Sequence, residues 1–239
     1  MYVPNWTDIP SPLLSSPLSP DLTRATRSLL FVPNNQVRGV HIDKVADLPQ
    51  ATRDAIGTRL LRLTLKELYE WRYMQSDPNW GNFLYDPTTE TLSLIDFGAA
   101  KSFSEAFVAD YLEMVHACAV EDEEEIIKRS VALGFLTGDE SREMMDTHCQ
   151  AGILVGAPFQ TVGAYDFGGK SMTGRVTELG AVMLKHRLTP PPDESYSLHR
   201  KLSGTFLACI KLKARVDAKR LFDEARARFY EDGRGVAQA

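Results

Sequence analysis

Apolar residues in the first half of the chain follow two periods. Ile56, Leu60, Leu61, Leu65, Leu68 and Trp71 recur at the three- and four-residue spacing of one helix face. Leu63 and Tyr73 widen that face, so the helix is expected to be buried on more than one side. Pro49 suits its first turn, and the pattern runs to about Met74. The period then shortens. Phe83-Leu84-Tyr85 and Leu92-Ser93-Leu94-Ile95 read as two short strands. Asp86-Pro87-Thr88-Thr89 connects them, because proline presets φ in a turn and Asp caps it. The result is an antiparallel hairpin that returns Asn82 to the side of Asp96.

Helical spacing dominates after Lys101. A helix from about Ser104 to Ala119 presents Phe107, Tyr111, Met114 and Val115. The acidic run Glu121 to Glu125 has two readings, a cation site or a charged first turn that complements a helix dipole; the second is the plainer. That helix ends near Gly134, a good residue just past a helix end. Asp139 is expected to cap the next, through Val155, and Pro158 to Lys170 to form a loop. Further helices are expected near Thr173–His186, Ser195–Leu212 and Ala218–Tyr230, with Pro190-Pro191-Pro192 as a stiff break. The last two carry Lys201, Lys211, Lys213, Arg215, Lys219, Arg220, Arg226 and Arg228, diluted by Asp217, Asp223 and Glu224. A solvated helix face explains this better than an anionic-lipid surface. Val37 to His41 reads as a short extended piece.

Composition changes this picture at the ends. Six of the 13 prolines fall within residues 1–36, with Ser and Thr between them. Such a stretch neither propagates helix nor buries much, so it is expected to be disordered. Its two arginines and two aspartates make a weak transit peptide. Residues 37–230 are expected to form the folded unit and 231–239 a flexible tail. The net charge of −5 argues against nucleic acid as a partner. Cys118, Cys149 and Cys209 are scattered and odd in number, which predicts reduced thiols in a core. No apolar run is long enough for a membrane span.

The chemistry gathers between Gln75 and Gly98, QSDPNWGNFLYDPTTETLSLIDFG. Asp77 and Asn82 lie on one side of the hairpin, and Asp96-Phe97-Gly98 on the other. Two oxygen ligands meeting there suit Mg²⁺, which takes one or two protein carboxylates and completes its octahedron with phosphate and water. Asp77, just outside that pair, is placed to orient or deprotonate a nucleophile. An Asp-Pro pair is also a routine turn signal, and a lone Asp-Phe-Gly carries little. A second copy at Asp166-Phe167-Gly168 lacks a preceding Asp and Asn and reads as a turn. The order Asp, Asn, hairpin, Asp-Phe-Gly is that of a kinase catalytic loop and its magnesium loop.

The segment from Glu67 to Gly98, ELYEWRYMQSDPNWGNFLYD…LSLIDFG, resembles the catalytic segment of the UbiB-type atypical kinases, the aarF-domain (ADCK) family. Its DPNWxNF form is similar to the mitochondrial coenzyme Q biosynthesis branch. Phe135-Leu136-Thr137-Gly138, the run MLKHRLTPPPDESYSLHRK from Met183 to Lys201, and KLKAR from Lys211 to Arg215 agree in order. The resemblance covers roughly residues 37–230. It implies a mainly α (α+β) fold, a protein-kinase-like C-lobe with a short catalytic hairpin and extra C-terminal helices. It implies Asp77 as proton acceptor, and Asn82 and Asp96 as magnesium ligands that hold Mg-ATP. Implied partners are the nucleotide, coenzyme Q biosynthetic proteins and a lipid or membrane surface. The implied place is mitochondrial, on the matrix side and peripheral to the inner membrane.

No strand lysine, glycine-rich loop or KxGQ extension reads before Asp77, so the N-lobe of such a kinase is expected to be missing. Asn79 stands where ordinary protein kinases have a lysine, two residues after the catalytic aspartate. The family shares this departure, which favours ATPase or small-molecule phosphotransfer over protein phosphorylation. Three readings follow: an ATP- and Mg²⁺-dependent protein supporting ubiquinone synthesis, a truncated inactive helical binding module that keeps lipid or partner contacts, or a non-functional gene-model product.

Overall fold

The computed structural model describes residues 38 to 233, apart from 78, 170, 171, 191 and 232. The proline-rich segment and almost all of the C-terminal tail lie outside the described residues.

The long helix opens at Gln50, behind Pro49, as α1 (Gln50–Leu65). It does not reach Met74. A π-helical turn at Lys66–Glu70 follows, closed by the Trp71 amide donating to the Lys66 carbonyl at 2.9 Å. Such a turn shifts the helix face, and three consecutive residues, Glu67, Leu68 and Tyr69, become buried. Arg72 then takes a left-handed conformation, φ 52°, and Tyr73–Gln75 leaves as a strand, β2. The apolar period alone carried the helix through these residues. Cross-strand pairing turns them away.

Two antiparallel pairings nest around the hairpin. Beside β1 (Val40–His41), β3 (Phe83–Asp86) pairs with β4 (Thr91–Leu94), Phe83 opposite Leu94 and Asp86 opposite Thr91, which sets Asn82 against Ile95, one residue from Asp96. Asp86 caps the connection by accepting from the Thr88 amide at 2.8 Å. Outside it, β2 pairs with β5 (Ala100–Ser102), Gln75 opposite Ala100. Strand structure after Gly98 was not expected from the sequence. A third small pair joins β6 (Tyr165–Asp166) to β7 (Arg215–Val216).

The remainder is helical. Ser104 caps α2 (Glu105–Val120), and Asp122 caps α3 (Glu123–Ala132), whose first turn holds Glu123, Glu124 and Glu125 as the dipole reading required. The next cap is Ser141, whose hydroxyl accepts from the Met144 amide, not Asp139. Glu140 is occupied one residue earlier, where its carboxylate gathers the amides of Thr137 and Gly138. The helix it precedes, α4 (Arg142–Gln160), runs through Pro158 and shortens the expected loop. Then come α5 (Met172–His186), α6 (Asp193–Leu212) and α7 (Ala218–Glu231). Among the described residues no helix is long and apolar enough to cross a membrane.

One core joins these elements. α1 packs on α6 and α7, and α2 packs on α4. At the second crossing a Cβ on Gly156 would stand 2.8 Å from the Cys118 carbonyl carbon, so only glycine lets the backbones meet. Phe222 of α7 is 1 % exposed and packs against Tyr69 and Phe159. The three cysteines are buried and free. Most of the basic residues on the last helices are tied to acids, as in Arg220 with Asp217 and Glu224, or Arg226 with Glu113. Lys201 departs from that expectation: it is 3 % exposed and belongs to the interior. Truncating Phe222 removes a fully buried ring, and Phe222→Ala is expected to lower stability by about 3–5 kcal/mol. Urea unfolding with an unchanged slope measures it; a loss under about 1 kcal/mol would place the ring outside the core that holds α7.

Candidate catalytic loop and its support

The nested pairings oppose residues 76–82 to residues 95–99. The Ser76 amide donates to the Ala99 carbonyl at 3.0 Å, and the Ile95 amide donates to the Asn82 carbonyl at 2.9 Å. These main-chain bonds close both ends of a loop pair, and Asp77, Asn82 and Asp96 all lie within it. The two aspartates therefore lie on facing segments of one loop pair.

Within the loop the polar side chains hold one another. Asn82 is buried, and its Nδ2 donates to Asp77 Oδ2 at 2.9 Å. Asp77 Oδ1 accepts from the Asn79 amide at 3.3 Å. Asn79 Oδ1 accepts from the Gly81 amide at 2.9 Å and caps the single 3₁₀ turn Trp80–Asn82. Across the loop, Asp96 is exposed and its Oδ1 accepts from the Gly98 amide at 2.8 Å. Asn82 Oδ1 and Asp96 Oδ2 accept no hydrogen bond within the described structure. They are hard oxygen donors at adjacent positions across Ile95, which is the donor chemistry Mg²⁺ takes. No group of three or more His, Cys, Asp or Glu among the described residues could hold a metal. A cation here would have to complete its shell with phosphate or water.

The second Asp-Phe-Gly makes the same local turn, the Gly168 amide donating to Asp166 Oδ1 at 2.9 Å. There the likeness ends. Phe167 is 1 % exposed between Tyr165 and Phe206, and its amide donates to the Ala214 carbonyl at 3.1 Å. Phe97 is 41 % exposed. The later triplet is a structural turn, as its sequence setting implied.

Beneath the loop lies a group that the sequence reading did not assemble. Lys201 Nζ stands 3.0 Å from Glu67 Oε2, both side chains almost wholly buried. Glu67 Oε1 accepts from the Gln75 amide at 3.2 Å, and Lys201 Nζ donates to Gln75 Oε1 at 3.5 Å. Burial raises the Glu67 carboxyl above its ordinary pKa, against the pull of Lys201 and of the Gln75 amide. A signal was available: Leu198, Leu202 and Thr205 place Lys201 on the apolar side of its helix. Trp80 and Phe83 pack against the same region. Phe83 is buried, and the Trp80 indole N–H donates to the Gly204 carbonyl at 3.2 Å while Lys211 Nζ sits 5.1 Å from its ring centroid.

Comparison with known proteins agrees with this architecture. A family profile described as the ABC1 atypical kinase-like domain matches residues 24–130, which include the whole loop pair. The mitochondrial atypical kinase COQ8B of Danio rerio is 48 % identical over 186 residues, 78 % of this chain and 30 % of that protein. Its counterpart in Rattus norvegicus is 44 % identical over 192 residues, 80 % of this chain and 36 % of that protein. The chain thus spans about a third of the length of the curated relatives it matches. Rv3197 of Mycobacterium tuberculosis, solved as a complex with erythromycin, shares the fold at a TM-score of 0.62 and 19 % identity, over 80 % of this chain and 48 % of that one. The relatives' names agree with the mitochondrial location that the resemblance implies. The chain belongs to the ABC1, or UbiB-type, family of atypical kinases, in the branch of the mitochondrial COQ8 proteins.

Proposed function

We propose that this chain carries the metal-binding and proton-accepting part of a Mg²⁺–ATP site, and that the protein uses it to support ubiquinone biosynthesis in mitochondria. The observation that carries the reading is the double engagement of Asn82. Its Nδ2 holds the Asp77 carboxylate at 2.9 Å, while its carbonyl ties it to the residue before Asp96. One residue, by its side chain on one side and its main chain on the other, thus links the base to the segment that carries Asp96.

Asn82 and Asp96 would hold the magnesium ion, which when bound neutralises charge on the nucleotide phosphates. The remaining roles belong to the protein. Asp77 accepts the proton of the attacking hydroxyl or water. Hydrogen bonds from the Asn79 amide and from Asn82 Nδ2 fix the direction of its carboxylate. Gly98 holds one oxygen of Asp96 and leaves the other for the cation. Asn79 supplies no positive charge beside the base, and its side chain is spent on the Gly81 amide. That arrangement favours hydrolysis of ATP or phosphoryl transfer to a small molecule over protein phosphorylation.

Asp96→Asn removes a charged ligand that Mg²⁺ replaces poorly. It is expected to weaken magnesium-dependent nucleotide binding in the whole protein by about tenfold or more. Titration calorimetry with ADP, with and without Mg²⁺, reads the effect, and equal affinities for variant and parent would remove Asp96 from the metal site.

Asp77→Asn is expected to leave nucleotide affinity near the parental value while lowering phosphate release by roughly 10²–10⁴-fold, the usual contribution of a general base. Undiminished turnover in that variant would show that another group takes the proton.

A further inference from the structure

We propose that Lys201 is a positioning residue for the loop that carries Asp77 and Asn82, acting through its ion pair with Glu67 and its contacts with Gln75 and Phe83. The inference rests on the magnesium–nucleotide reading for its functional consequence, though not for its geometry.

Lys201 and Glu67 side chains are 3 % and 5 % exposed. Burying two charges is costly, and an apolar pair of similar volume commonly serves stability as well or better. Fold stability alone therefore gives weak reason for an ion pair here. Its contacts supply a stronger one. Glu67 Oε1 accepts from the amide of Gln75, two residues before Asp77. Lys201 Nζ reaches Gln75 Oε1 at 3.5 Å and stands 5.6 Å from the ring centroid of Phe83, the residue after Asn82. One ammonium group thus touches both ends of the loop 76–82.

Gln75 shows how far the local packing depends on this contact. It is 2 % exposed, and its Nε2 has no hydrogen-bond partner in the described structure. Its side chain is held at the oxygen by Lys201. From the same helix, the Gly204 carbonyl accepts the indole N–H of Trp80 at 3.2 Å, within the loop itself. α6, more than 100 residues away in sequence, thus engages the loop at its start, its middle and its end. A shift of Gln75 or Phe83 moves Asp77 and Asn82 with it, because the 3₁₀ turn between them is short and capped internally.

The test compares the parent chain with Lys201→Met and with the double variant Glu67→Leu/Lys201→Met, which removes both charges. Three quantities are measured: thermal unfolding, amide hydrogen exchange across residues 75–83 against exchange in α2, and affinity for Mn²⁺ alone by electron spin resonance of the free ion. The double variant is expected to unfold at the parental temperature or above. Its exchange across 75–83 should be faster by about tenfold with α2 unchanged, and its Mn²⁺ affinity lower by about tenfold, as when an outer-shell partner of a metal site is lost. Parental exchange and parental Mn²⁺ affinity in a folded double variant would overturn the proposal. So would a double variant that fails to fold, or one whose exchange rises equally in α2, since the pair would then be only structural. A parent chain that binds no Mn²⁺ counts against the metal reading alone, and local exchange across 75–83 still upholds or overturns the positioning role.

Discussion

Two main-chain hydrogen bonds, Ser76 to Ala99 and Ile95 to Asn82, are the constraint around which this structure is arranged. They hold two irregular stretches face to face, where neither could form a regular strand because both carry turn-forming residues. Regular pairing resumes outside them in β2–β5 and inside them in β3–β4. Each strand is only three or four residues long, too little to persist unaided in water. β2 packs against the π-helical turn, and Met74, Phe83, Tyr85, Leu92 and Leu94 from these strands join the common core.

That extension has a physical cost and a geometric use. An α-helix continued through Lys66–Glu70 would bury a single stripe. The π turn instead buries Glu67, Leu68 and Tyr69 together. Leu68 and Tyr69 join the core, with Tyr69 against Phe222 of α7. Glu67 is carried into the same interior, where its charge is met by Lys201 from α6 and by the Gln75 amide. A carboxylate placed there without those partners would be strongly destabilising. The turn, the buried pair and the start of the loop are thus one connected feature, which links segments 134 residues apart.

Local rules account for three of the helix starts. Ser104, Asp122 and Ser141 each accept from an amide three residues on, the ordinary capping geometry. The choice of Ser141 over Asp139 follows from competition: the neighbouring Glu140 carboxylate already organises the Thr137–Gly138 turn, so the helix begins beyond it. The overlong first helix has the opposite cause. Tyr73 and Met74 continue the apolar period, yet their backbone is taken by Ser102 and Lys101 across the β2–β5 pair. A periodicity argument sees side chains only, and a distant strand claims the backbone. The proline-rich segment before Val37 is not among the described residues.

The two Asp-Phe-Gly triplets separate what each level of organisation decides. By itself the sequence determined the turn: both glycine amides donate to the preceding aspartate, at 2.8 and 2.9 Å, because the side chain, its length and the following glycine are local properties. It also determined the hairpin, through the Asp86 turn and the two short apolar runs, and hence that Asn82 returns to within one residue of Asp96. Only the tertiary structure decided that Phe97 faces outward while Phe167 is sealed in the core. It alone joined Glu67 to Lys201, because a buried charge is tolerable only beside a partner, and these partners lie 134 residues apart in the sequence. Charge pairing over that distance leaves no mark in any window of the chain. What the sequence shows at Lys201 is a cation on the apolar side of its helix, beside Leu198, Leu202 and Thr205, and what the fold adds is its partner, Glu67.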